Sequence, residues 1–394
     1  MLADSHGLYD DRIYWKEAVS LSHAGYEVHF ILAADNDEDG ITTEGIHYIK
    51  IKRKKYLRNR YLNYLVKHVL PGGLYKKMLD AAKSIKADAY HIHDLKVNRI
   101  GIKLKRLPWK PKVIYDVHEP YPENIIDYVK TNGIFTILKK WYASYIRSWE
   151  EKCAAGYDFI ITTEENMKAR FSKVLPDEKV QIIYNYTNLP INLNSATEQG
   201  KTWDAIYTGG ITRLRGAMKI LGAIKLATKE KTDLKVLFIG SYFPPELKSE
   251  MLGFIRSNNL ENNIELHDSV PYLEVDDYYS RSKIGLGIFL PIPTHRIILQ
   301  IKIFEYFNYG LPIIGSNFGH ISRYIQENKA GLTVNPESEA EIAQAIISLI
   351  NNKDLYDELS SNALKASEKY RWHLMEEKLL DIYYRLLRVN SFER

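Results

Sequence analysis

The chain has 394 residues, more than one ordinary core accommodates, and its 45% apolar and 26% charged residues are those of a globular protein. A single cysteine, Cys153, excludes an internal disulfide and a cysteine metal cluster, and no run reaches the roughly 18 apolar residues of a spanning helix. The opening Met-Leu-Ala-Asp-Ser-His lacks the basic and apolar regions of a secretory signal, so the expected location is the cytoplasm.

Ahead of the turn Asp4-Ser-His-Gly7 stand only Met1, Leu2 and Ala3, whereas the first strand of an α/β half usually needs about five residues. Either that strand is very short or a few residues are missing from the start. Next come β-rich segments beginning at Glu27, Ala89, Lys112, Asp158 and Val180, separated by helical stretches at Arg12 to Ala24, Leu74 to Ile85, Gly133 to Ala155 and Glu165 to Val174. Such alternation predicts a parallel sheet covered on both faces. Residues 191–202 are polar and turn-rich and read as a linker between a first domain, 1–190, and a second, 203–371. The second half restarts the pattern at Trp203, with further strands from Lys235, Ile264, Ile284, Leu311 and Gly331. Its helices are expected at Ala217 to Thr228, Pro245 to Asn258, Val275 to Arg281, Ile301 to Tyr309, Ile321 to Glu327 and Glu339 to Ile350. The last segment, 372–394, contains an amphipathic helix with Leu379, Ile382, Tyr383 and Leu386 on one side, which would pack back on the first domain.

The formal charge is only +5, but its distribution is uneven. Between Lys50 and Lys112 basic residues such as Lys52, Arg53, Lys54, Lys55, Arg58 and Arg60 far outnumber Asp80, Asp88 and Asp94, and Tyr and Leu residues interleave with them. This mixture suits an anionic membrane surface, or a plain solvated face; no helix-turn-helix, RNP or zinc-finger pattern accompanies it, so nucleic acid is not the expected partner.

Four local patterns carry chemistry. Lys302 and Glu305, three apart, share a helix face, and Gly310 and Leu311 to Ile314 follow as helix stop and strand. An ammonium for phosphate charge and a carboxylate for ribose hydroxyls suit a nucleotide-sugar. Gly209-Gly210-Ile-Thr-Arg213-Leu-Arg215-Gly216 joins a strand to a helix through glycines and two guanidinium groups, a cradle for a diphosphate. His118 and Glu119 stand just past the strand Val113 to Val117, where open α/β sheets place their chemistry. Gly7, in the first strand-to-helix loop, leaves room for a sugar or phosphate to approach the backbone. His91-Ile-His93-Asp94 offers metal-type ligands on one strand face, but no metal site is expected from it.

These segments resemble the GT-B glycosyltransferases of the family-4 type (group 1). The match runs through Asp10-Asp11-Arg12, Glu17-Ala18, Leu21 and Gly25-Tyr26-Glu27-Val28, through the Gly209 to Gly216 turn, and through the K-x-x-E-Y-x-x-x-G-x-P pattern from Lys302 to Pro312. The resemblance implies a fold of two Rossmann-like doubly wound α/β domains facing a central cleft. It implies transfer of a sugar from a UDP- or GDP-sugar to a lipid-linked or oligosaccharide acceptor in cell-surface polysaccharide synthesis, with retention and without metal or other cofactor. His118 would contact the donor sugar, Glu305 the ribose, and Arg215, Arg213 and Lys302 the leaving diphosphate. Many relatives carry an acidic residue eight before Glu305; here that position is Ile297, leaving His295, Arg296 or Gln300 to meet the sugar. A nucleotide-sugar 2-epimerase and a non-catalytic GT-B scaffold docked peripherally on the inner face of the plasma membrane are the alternatives.

Overall fold

Runs of Val, Ile, Leu and Tyr bounded by turns form two separate parallel sheets in the computed structural model, which describes residues 1–53, 73–129, 132–189 and 200–388. The chain divides into two compact units, Met1–Asn185 with Trp372–Arg394, and Tyr186–Arg371. Lys54, Lys55, Arg58 and Arg60 of the basic block, and residues 191–199 of the expected linker, lie outside the described residues.

The first sheet is built from β1 (Leu2–Ala3), β2 (His29–Ala34), β3 (Glu38–Ile41), β4 (His47–Lys52), β5 (Ala89–His93), β6 (Lys112–Val117), β7 (Phe159–Thr162) and β8 (Val180–Ile182). Their order is β3-β4-β2-β1-β5-β6-β7-β8, and every pairing is parallel except β3 with β4. The opening strand has two residues, and both are fully buried between β2 and β5. Burial on both faces explains the near-continuous apolar runs. Helix Leu74–Ile85 covers one face with Tyr75, Met78, Leu79 and Ala82, the i, i+3, i+4, i+7 stripe of an amphipathic helix. The last helix, Trp372–Arg388, completes this unit: Trp372 Nε1 donates to Ser20 Oγ at 3.0 Å, and Tyr383 hydrogen-bonds His91 Nδ1 at 3.0 Å.

The second sheet contains β9 (Trp203–Thr208), β11 (Val236–Ile239), β13 (Ile264–His267), β14 (Ser282–Gly287), β15 (Ile313–Ser316) and β16 (Gly331–Val334), while β10 (Ile211–Thr212) and β12 (Tyr242–Phe243) pair beside it. The order β13-β11-β9-β14-β15-β16 is that of a Rossmann sheet, with chain reversal between β9 and β14. In such sheets the crevice outside the strand ends at the reversal receives the ligand. Helix Ala217–Ala227 packs Ile220, Leu221 and Ile224 against Val236, Phe238, Ile284 and Leu286, and fully burying a side chain of this size contributes about 1.5–3 kcal/mol.

Several elements depart from the sequence reading. The stretch expected as one helix from Arg12 opens as a π-helical turn, Ile13–Ala18, before the α-helix Val19–His23. There Glu17 N donates to Arg12 O at 2.9 Å and Trp15 N to Asp10 O at 3.2 Å, the wider i to i+5 spacing. Helices Asp94–Lys105, Tyr121–Tyr128 and Lys353–Ser367 and the antiparallel pair β3–β4 were not expected.

Candidate active site

In the second unit, β9 ends in the Gly209–Gly210 turn. Gly209 has φ +95°, and Gly240 on the neighbouring strand end approaches so closely that a Cβ there would stand 1.8 Å from the Gly209 carbonyl oxygen. Only glycine allows that approach. A Cβ on Gly210 would lie 2.8 Å from Arg215 Nη1, so the guanidinium occupies the space a side chain at 210 would need. Arg215 itself is anchored through its backbone N–H, which donates to Thr212 Oγ1 at 3.0 Å.

Lys302 borders the same turn: its Cε and Nζ lie 3.8 and 4.0 Å from where a Cβ on Gly209 would stand. Its Nζ is buried, sits 3.6 Å from the centre of the Tyr207 ring and has no hydrogen-bond partner among the described residues. Burial, and then the neighbouring Arg215 charge, push its pKa well below the usual lysine value, only partly offset by Glu305. An ammonium in such a place is poised to accept an anion. Glu305, one turn on, accepts from Tyr279 Oη at 2.6 Å, and the same hydroxyl lies 2.8 Å from Thr208 Oγ1. His295, on the short helix Pro293–Ile297, is buried with Nδ1 2.8 Å from Leu290 O and its ring 5.4 Å from that of Phe289. Phe289 also lies beside Lys302, with Nζ 5.4 Å from its ring centre. Arg213 is placed differently from its companions, with more than half its side chain exposed and an ion pair to Glu250.

In the first unit, the ends of β1, β5 and β6 converge on His118. Its Nε2 lies 3.3 Å from His93 Nδ1 and 3.4 Å from Asp116 Oδ2, and its Nδ1 3.7 Å from Asp94 Oδ1. His6, from the loop after β1, stands edge-on to His118 at 5.1 Å and is held by Asp10 at 2.7 Å and Asp94 at 2.5 Å. Burial works against the His6 charge, but the hydrogen bonds to Asp10 and Asp94 prevail and raise its pKa to about 11. Asp94 adopts φ +67°, a left-handed conformation uncommon outside glycine. Behind this group Arg12 is fully buried, reaching Asp116 at 2.9 Å, Glu17 at 3.0 Å and the Ile183 carbonyl at 3.0 Å. Burial and the adjacent Asp116 push Glu17 well up, while Arg12 and His118 overcome burial and hold Asp116 well below the carboxylate range. Burial lowers His91 to about 3 and His93 well below its usual value, so both imidazoles are neutral.

Glu119 lies exposed, accepting from Asn124 Nδ2 at 2.8 Å. Gly7 is exposed with open space where a Cβ would be. Sequence reasoning missed His6, Tyr279 and Gly240, and noted Asp94 and Asp116 only as neighbours of the histidines. Asp94 stood in a noted motif, but His6 and Asp94 are 88 positions apart and meet only because β1 and β5 are neighbours.

Family models match both halves of the chain: residues 16–189 fit Glycosyltransferase Family 4, and residues 204–352 fit Glycosyl transferases group 1. The chain belongs to the GT4-like, group 1 glycosyltransferases. It is 21% identical over 372 residues to an uncharacterized glycosyltransferase of Haemophilus influenzae, covering 91% of this chain and 92% of that protein. It is 22% identical over 292 residues to the chitobiosyldiphosphodolichol beta-mannosyltransferase of Debaryomyces hansenii, covering 67% of this chain and 60% of the relative. Among solved structures, Anabaena HepE in complex with UDP and glucose superposes with a TM-score of 0.70 at 12% identity, covering 97% of this chain and 98% of HepE. That likeness shows the GT-B fold.

Proposed function

We propose that this glycosyltransferase takes a UDP- or GDP-sugar as donor and a lipid-linked or oligosaccharide acceptor, in the cytoplasm, with retention and without a metal ion. The observation that carries the donor half is the buried Lys302 ammonium, which has no acceptor among the described residues and stands beside Arg215 at the Gly209–Gly210 turn. Two fixed cations and a glycine turn at the reversal point of a Rossmann sheet suit a diphosphate. In transfer, an acceptor hydroxyl oxygen bonds to the anomeric carbon, the bond from that carbon to the diphosphate oxygen breaks, its electron pair leaves with the nucleotide, and the hydroxyl proton passes to the departing diphosphate oxygen. Lys302 and Arg215 stabilise the departing charge, the work a divalent cation does elsewhere. Glu305, oriented by Tyr279, takes the ribose hydroxyls. His118 contacts the transferred sugar, as the family resemblance implies. The Debaryomyces relative is named for a diphosphodolichol acceptor, which supports the lipid-linked reading, and HepE was captured with UDP and glucose, which supports the nucleotide.

The test is a thermal-shift screen of UDP- and GDP-sugars followed by product analysis of each stabilising donor with a lipid-linked acceptor. A ligand at 100 times its Kd stabilises by about 2.7 kcal/mol. Stabilisation by one nucleotide series, with nucleoside diphosphate released only when acceptor is present, is expected. A sugar epimerised without acceptor, or no stabilisation by either series, would overturn the reading.

A further inference from the structure

Helix Ile134–Ala154 faces the first unit's core with Ala143, Ile146, Glu150 and Cys153. At 100° per residue these lie together, and the opposite side of the helix is apolar as well. Ile134, Ile137, Leu138, Trp141 and Tyr145 are each more than half exposed and, with Tyr142, span an arc of about 140°; Phe135, at the start of the helix, is more than half exposed as well. A continuous outward apolar face of this kind is not ordinary surface scatter. Trp141 and Tyr145 stack at 6.0 Å, and such amphipathic rings favour the boundary between water and hydrocarbon. Along the longer helix the charge is positive, with Lys139, Lys140 and Arg147 and no acidic residue from 132 to 149, while the shorter arm carries Glu123 and Asp127. Lys139 donates to the Ile126 and Val129 carbonyls, both at 2.8 Å, and Arg147 pairs with Glu123 at 2.6 Å, so helix Tyr121–Tyr128 is tied to the longer one as a hairpin. Ile126, Tyr128 and Val129 extend the exposed apolar surface onto the shorter arm.

We propose that this hairpin is a docking surface for an anionic lipid bilayer. It begins three residues after His118, so a bilayer held there brings lipid-linked molecules toward the β6 strand end. The proposal deepens the acceptor half of the proposed function and rests on it for its purpose. Its physics is that of an interfacial helix: apolar and aromatic side chains enter the headgroup boundary while cations at the rim meet anionic lipid. Among the described residues no helix is long and apolar enough to cross a membrane, so the predicted attachment is superficial.

Co-sedimentation of the full chain with phosphatidylcholine vesicles, with and without phosphatidylglycerol, tests it in the absence of donor, so the outcome is independent of glycosyl transfer. Binding that needs the anionic lipid, falls at high salt and drops at least tenfold in the double variant Phe135→Ser with Trp141→Ser is expected. An unchanged urea-unfolding transition of that variant shows that the first unit still folds. Trp141→Ser alone should abolish a vesicle-induced blue shift of fluorescence. Equal pelleting of the wild type and the double variant would overturn the proposal. So would binding lost only when Lys52, Arg53, Lys54 and Lys55 are changed to Gln, or a wild-type dimer that the substitutions dissociate while vesicle binding persists.

Discussion

The Lys302 ammonium stands 3.6 Å from the centre of the Tyr207 ring and has no hydrogen-bond partner among the described residues. A cation–π contact stabilises the charge less than a hydrogen-bonded anion does, so burial shifts Lys302 towards the neutral amine and lowers its pKa. A diphosphate reverses that preference. Nucleotide binding should therefore draw a proton from solution, and affinity should fall as pH rises from the lowered pKa of the empty site towards the higher value in the complex. Calorimetry in buffers of different ionisation enthalpy reads the proton directly; binding heats independent of buffer would contradict it. Lys302→Ala and Arg215→Ala should each weaken UDP or GDP binding by about 1.5–3 kcal/mol.

The same residue links function to stability. Folding lowers the Lys302 pKa from its ordinary 10.5, so this residue costs stability at low pH, and stability rises with pH between the lowered value and 10.5. Lys302→Met removes this burden. Its melting temperature without nucleotide should exceed that of the wild type at neutral pH, and stabilisation at a given nucleotide concentration should be smaller.

His6 carries the opposite sign. Its pKa is raised from 6.5 to about 11, so its contribution to stability is fully present below pH 6.5 and is lost as pH climbs towards 11. By NMR the His6 ring should show no titration between pH 6 and 9. Asp94→Asn removes one of its two carboxylate partners and should bring that titration down into the measured range. It should also lower turnover through His118, whose Nδ1 faces Asp94 at 3.7 Å, with nucleotide affinity unchanged.

Arg12 is enclosed with Glu17 and Asp116, and removing one partner from a buried ionic group leaves a charge uncompensated. Arg12→Met should destabilise the chain by about 3–5 kcal/mol in urea unfolding. A variant within 1 kcal/mol of the wild type would show that Asp116 finds another cation or takes up a proton.

Turnover should persist in EDTA. Glu17, His91, His93 and Asp116 stand close enough together to hold an ion, as do His6, Asp94 and His118, but Arg12 and the charged His6 already supply positive charge to these carboxylates. Activity lost on chelation and restored by Mn²⁺ would send attention back to these seven residues.

Much of the second-unit site was legible because its residues belong to short segments: Gly209 to Arg215 is one turn, and Lys302 and Glu305 are one face of one helix. What the sequence could not convey was partnership across segments, such as Arg213 pairing with Glu250 or Tyr279 reaching Glu305. His6, Asp94 and His118 come from three strand ends whose adjacency is a property of sheet order. Helix Lys353–Ser367 escaped notice because its buried stripe, Tyr356, Leu359, Ser360, Ala363 and Ala366, is diluted by small and polar residues. The β3–β4 pair escaped because Glu38-Asp-Gly-Ile carries no apolar alternation, its pairing being stabilised by contacts such as Tyr48 donating to Glu38 at 2.8 Å.

The first unit is interrupted in sequence, since its final helix arrives only after residues 186–371 have been made. During synthesis the segment 1–185 leaves the ribosome before residues 372–388, so Ser20 and His91 wait for Trp372 and Tyr383 until the second unit has emerged. The second unit, continuous from Tyr186 to Arg371, has no such wait. The unit begun first is thus completed after the second, and for that interval the apolar surface that Trp372–Arg388 covers is open to misassociation.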